Sequence, residues 1–132
     1  MTLKLLCAGK NNAPFQPVKL AFMDEDAITI RATSVALALF LARKNRPHII
    51  ICEQSLVDGT GFGLFLELNN EEELARIPFV FLLSDALEQT AILNSLKREN
   101  IDKDVHFFVL GNNAVQSNKF FSWKNEILKI IS

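Results

Sequence analysis

The chain has no tyrosine, one tryptophan, two cysteines, five glycines and four prolines among its 132 residues. Each scarcity excludes something. Cys7 and Cys52, at unpatterned spacing, make neither a disulfide framework nor a zinc site. Both lie in apolar runs and are expected as buried, reduced thiols. No apolar run approaches the ~20 residues that span a bilayer. The N-terminal run, Leu5–Ala8, stops at Gly9-Lys10, too early for a signal peptide. Excess charge is also missing: the formal charge is −1, so no global field draws the chain to nucleic acid or an anionic membrane. No repeat, linker or low-complexity segment interrupts it. A single domain over residues 1–132, in a cytoplasmic protein, is the expectation.

What is abundant is apolar side chain, 49% of residues, with eleven phenylalanines whose rings need no hydrogen-bond partner. Leu3–Ala8 reads as a first strand, and Pro17 opens a short helix to about Asp24. Ala27–Ala32 alternates Ile28 and Ile30 with Thr29 and Arg31, a second strand. Ser34 caps a helix through about Lys44, stopped before Pro47. His48–Glu53 is a third strand and Gly61–Leu68 a third helix. Pro78–Leu83 is a fourth strand, and Asp85 caps a helix from Ala86 to about Arg98. Val105–Leu110 and Ser122–Ile131 close the series as strand and helix. Strands alternating with helices imply right-handed crossovers and a parallel sheet covered on both faces.

Glu53 is the residue that points to chemistry. It ends the run Ile49-Ile50-Ile51-Cys52, a buried strand, and so lies at the carboxyl edge of the sheet, where open α/β folds keep their functional groups. The frame Pro-x-(apolar)4-acid-x-x-(apolar)-x-Asp-Gly-x-Gly, from Pro47 to Gly61, resembles the third strand and loop of response-regulator receiver domains. The resemblance implies a flavodoxin-like three-layer α/β sandwich with strand order 2-1-3-4-5. It covers nearly the whole chain in element order. Lys19–Asp26 imitates the family's opening strand and acidic pair, but the 20 residues from Ala27 to Arg46 cannot hold the helix, strand and helix that would have to follow. The opening strand is therefore Leu3–Ala8, and Asp24-Glu25-Asp26 is a solvated turn.

In that family two acids after strand one and an acceptor Asp hold Mg²⁺, which takes a tight octahedron of oxygens. A Ser or Thr after strand four and a Lys after strand five bind the phosphoryl oxygens. Here the acidic pair falls on Gly9 and Lys10, and the acceptor on Glu53. A lysine ammonium ~5 Å from Mg²⁺ would be repelled by roughly 6–7 kcal/mol at an effective dielectric of about 20. Counting from Pro78 puts the hydroxyl position at Leu83, or at Ser84 with a one-residue slip, and Gly111 stands where the Lys is expected. These departures imply a degenerate pseudo-receiver, without catalytic residues, metal or cofactor. Such a domain would signal by phosphorylation-independent protein–protein interaction. Glu53 is read either as a partly solvated acid left at the sheet edge or as the partner of Lys10 in an ion pair closing the pocket, strands one and three being neighbours.

Two alternatives are an unorthodox receiver phosphorylated elsewhere, at Asp58 or Ser84, and a flavodoxin-like small-molecule binder using the emptied pocket. Gly59-Thr60-Gly61-Phe62-Gly63 is read as a helix-starting loop and not a nucleotide site, since it lacks dinucleotide or P-loop spacing. His48 and His106 are read as structural. Arg43, Lys44 and Arg46 form the only basic cluster, at a helix end where positive charge is favoured. The helix Val35–Ala42 is apolar nearly all round, so a loop or a partner should cover part of it. Phe120, Phe121 and Trp123 mark a candidate interaction surface on the last helix–strand–helix face, where receivers commonly dock partners or form homodimers.

Overall fold

The computed structural model of the chain describes residues 2–23, 25–101, 103, 105–109 and 117–131, the side chains of the last segment from position 124 onward. Strand β1 (Leu3–Ala8) pairs in parallel with β2 (Ala27–Ala32) on one side and β3 (Ile49–Glu53) on the other. Its burial on both faces explains why Leu5, Leu6, Cys7 and Ala8 follow one another without alternation. A 3₁₀ turn at Ala13–Phe15 leads into helix α1 (Gln16–Ala21), with proline in the first turn of each. Helix α2 (Val35–Asn45) starts at Ser34, whose hydroxyl accepts the Leu37 N–H at 3.0 Å. It ends on Arg46 at φ 48°, a left-handed cap.

After β3 the chain makes a small antiparallel hairpin, β4 (Ser55–Leu56) with β5 (Gly59–Thr60), then helix α3 (Gly61–Asn69) and the single turn α4 (Glu72–Ala75). Neither the hairpin nor α4 was legible in the sequence, because two-residue strands and one-turn helices carry no periodicity. Strand β6 (Phe79–Leu83), helix α5 (Ala86–Arg98), strand β7 (His106–Val109) and helix α6 (Ser117–Ile131) complete the chain. The main sheet is parallel with order β2-β1-β3-β6-β7, the 2-1-3-4-5 arrangement expected once the hairpin strands are set aside.

Two apolar layers sandwich that sheet. On one face Leu6, Ile50, Cys52, Phe79, Phe81 and Leu83 pack against α2, α3, α4 and α5. On the other, Leu5, Cys7, Ile49, Ile51, Val80 and Leu82 pack against Phe15, Val18 and Phe22 around α1 and Ile127 of α6. Phe65, Phe79, Phe81 and Phe107 form a chain of ring contacts at 4.7–5.8 Å between centroids. Both thiols are buried and free, and desolvation pushes Cys7 up to about 12 and Cys52 upward as well. His48 is structural as expected: its Nδ1 accepts the Lys4 N–H at 3.0 Å. The α2 face is only partly covered, with Ala38 and Ala42 fully buried but Leu37 and Phe40 exposed.

Candidate functional site

The carboxyl ends of β1, β3 and β6 converge on Glu53. Alternation along β3 puts its side chain on the face of Ile49 and Ile51, which is the α1 and α6 side. There it meets Gly9, one residue beyond the end of β1. A β-carbon at position 9 would strike Glu53 Oε1 and lie 3.0 Å from Glu53 Cδ and 2.7 Å from Phe15 Cε2. The Glu53 carboxyl thus fills the volume that a side chain at position 9 would need. Its Oε1 is buried and has no hydrogen-bond partner among the described residues. Burial raises its pKa above the ordinary carboxyl value; the Asn11 backbone N–H and the Arg31 charge pull it back down, and Glu88 adds a smaller upward push.

The expected partner is not the observed one. Among the described residues no ion pair joins Lys10 to Glu53: the Lys10 side chain is exposed, and its backbone N–H donates to Ser55 O at 2.9 Å. A long, strongly hydrated ammonium gains little by entering a half-buried pocket. The cation that acts there is Arg31, at the end of β2. Its guanidinium donates to the carbonyls of Cys7 (2.6 Å), Gly9 (3.0 Å) and Asn11 (3.2 Å) and to Asn12 Oδ1 (3.0 Å), and it stacks 4.5 Å from the Phe15 ring centroid. A planar fork with five donors suits this cluster of loop carbonyls. The sequence signal was present but unread: the period of two puts Arg31 opposite Cys7 across the β1–β2 pair.

Leu83 and Ser84 are separated by the strand end. Leu83 is fully buried in the core on the far face, so it is no pocket residue. Ser84 is exposed and follows β6; its hydroxyl donates to Glu88 Oε1, which also accepts the Ser84 N–H at 3.2 Å. Asp85 caps α5 by accepting the Glu88 N–H at 3.0 Å. Of the two positions the count from Pro78 leaves open, Leu83 lies in the core and Ser84 carries the hydroxyl that follows β6.

Asp58 is likewise engaged. Its two carboxylate oxygens accept the N–H groups of Val35 (2.5 Å) and Ala36 (3.2 Å), which hold its pKa below the usual carboxylate range. Gly61 lies so close to β3 that a β-carbon would strike Glu53 O and sit 3.1 Å from Cys52 Sγ and Gln54 Oε1. Gln54 and Thr60 side chains take the Phe62 (2.8 Å) and Gly63 (3.0 Å) N–H groups. The glycine run therefore packs and caps α3. Gly111 lies outside the described residues; Phe120, Phe121 and Trp123 fall on α6, and their side chains lie outside them too.

The basic cluster is largely neutralised: Arg43 pairs with Glu71 at 2.7 Å and Arg46 with Glu73 at 2.6 Å. The donor set does not fit Mg²⁺. Position 9 offers no side chain, position 10 offers a cation, and Glu53 spends its reach on Gly9. Among the described residues no three acidic, His or Cys side chains gather. No helix among them is long and apolar enough to cross a membrane.

Comparison with solved structures places this architecture. A phosphorylated cyanobacterial phytochrome response regulator, RcpA, superposes with TM-score 0.79 at 16% identity, over 97% of this chain and 95% of that one. A response regulator described as putative, from Chloroflexus aurantiacus, gives 0.75 at 18% identity over 98% and 99%. The receiver domain of a sensor histidine kinase from Pseudomonas aeruginosa, with magnesium coordinated in its active-site cleft, gives 0.75 at 13% identity over 99% and 98%. The chain has the receiver fold. No protein-family profile matches it, and no curated protein matches by sequence.

Proposed function

We propose that the chain is a two-component signalling module of receiver fold that works through protein–protein contacts, its strand-end pocket closed by its own side chains and not switched by a phosphoryl group. The carrying observation is the seat of the Glu53 carboxyl over Gly9. A glutamate one methylene longer than the acceptor Asp reaches across to where the first metal-binding acid would stand, and Arg31 ties the neighbouring loop. Phosphoryl transfer in such a pocket would lack the metal that neutralises charge in its transition state.

The other two acceptor positions are already committed, Asp58 to the α2 N-terminus and Ser84 to Glu88. Incubation with acetyl phosphate and Mg²⁺, followed by intact-mass measurement, should return the unmodified mass. A stoichiometric phosphate adduct would overturn the reading.

A further inference from the structure

The sheet ends at β2, which pairs with β1 alone. On its outer backbone edge the Ala27 N–H donates to Glu25 O at 2.8 Å, and no other backbone hydrogen bond is made there among the described residues. Two adjoining hollows run along this edge and share Lys19 and Thr29. One, of about 250 Å³, is lined by Cys7, Asn12, Phe15, Gln16 and Arg31 beside Lys19 and Thr29. The other, of about 330 Å³, is lined by Phe22, Met23, Ala27 and Ile28 beside Lys19. Met23 is 74% exposed. No proline interrupts β2, and no charge lies on its first four residues, so the usual devices that blunt a strand edge are weak here.

We infer that this groove is a docking edge for an extended peptide segment of a partner protein, added to the sheet as a strand beside β2. The segment carries an apolar side chain and an acidic side chain two positions apart. An added strand sends every second side chain to the α1 face, at a spacing of ~7 Å. One such side chain meets the Phe22–Met23–Ala27 hollow and the next meets Lys19. Arg31 already spends its donors on loop carbonyls and Asn12, so Lys19 is the cation left for a carboxylate. No acidic residue lines either hollow among the described residues. The same charge argues against a second copy of this chain. Its β2 would offer Ala27, Thr29 and Arg31 on that face, with no acid among them, bringing cation to cation.

The first hollow shares Asn12, Phe15 and Arg31 with the strand-end site, but docking on the β2 edge needs no phosphoryl group there, so a phosphate adduct at the pocket would leave this proposal standing. The test uses the whole ¹⁵N-labelled chain and a panel of acetylated, amidated hexapeptides of threonine. Each carries one valine and one glutamate two positions apart, in either order, and a control panel has lysine in place of glutamate. The glutamate peptides should move the amides of residues 27–32 and of α1, with saturation. Lys19→Glu, a change at an exposed position, should weaken them about fivefold and strengthen the lysine panel. Met23→Asp should weaken both. The proposal is overturned if no peptide moves those amides, if Lys19→Glu leaves the panels unchanged, or if the same amides shift with protein concentration alone, which would assign the edge to self-pairing.

Discussion

The Glu53 carboxyl rests against the α-carbon of Gly9, its Cδ 3.0 Å from where a β-carbon at position 9 would lie, with the buried Phe15 ring on the other side. Two positions that read separately in the sequence as losses are one contact in the fold. The glycine makes room, and the extra methylene of glutamate fills it.

That contact predicts the cost of filling position 9. Gly9→Ala forces the Glu53 carboxyl out or the Phe15 ring aside, an overpacking worth about 1–2 kcal/mol. In a Glu53→Ala background only the Phe15 part remains, so the two changes are non-additive. Urea unfolding of the four proteins of the cycle measures the coupling. Additivity within experimental error would separate the two residues.

Acid titration gives a second expectation. Burial holds the Glu53 pKa above its reference of 4.5. A carboxyl raised in the folded state binds its proton more tightly there than in the unfolded chain. Its stabilising contribution is therefore complete below the unfolded value and is lost as pH rises through the folded one. Relative to Glu53→Gln, the wild type should lose stability across that interval and no further above it. Melting curves from pH 4 upward check this.

Asp58 has the opposite sign. Its carboxylate caps α2 and its pKa is lowered from 3.8, chiefly by the Val35 N–H. The contribution is present above the unfolded value and is lost as pH falls through the folded one. Asp58→Asn should lower the melting temperature at pH 7, and the gap to the wild type should narrow below pH 3.8. An unchanged gap would remove the cap from the account.

Arg31 is the tie on the loop after β1. Arg31→Met frees the carbonyls of Cys7, Gly9 and Asn11 together, at a cost of about 2 kcal/mol. Arg31→Lys keeps the charge but not the fork and should recover only part of that. Hydrogen exchange at residues 9–12 should quicken in both. Unaltered protection would show that the loop holds itself.

The sequence carried the layered sheet almost whole, since buried strands and capped helices leave strong marks: Ser34 and Asp85 each cap the helix expected of them. The position of Glu53 at a sheet edge was equally plain. What stayed hidden were contacts between elements far apart in sequence. Lys10 drew attention because it stood where an acid is expected, while Arg31, 22 residues from Gly9 along the chain, makes the bonds. The choice between Leu83 and Ser84 stayed open for a related reason: a one-residue shift at a strand end swaps faces.

The most direct measurement is a ¹³C NMR titration of the Glu53 carboxyl carbon in the wild type and in Gly9→Ala. The account predicts a wild-type midpoint above 4.5 that returns toward the ordinary value once the new methyl group expels the carboxyl from its seat. A midpoint at the ordinary value in the wild type, or one that Gly9→Ala leaves in place, would contradict it.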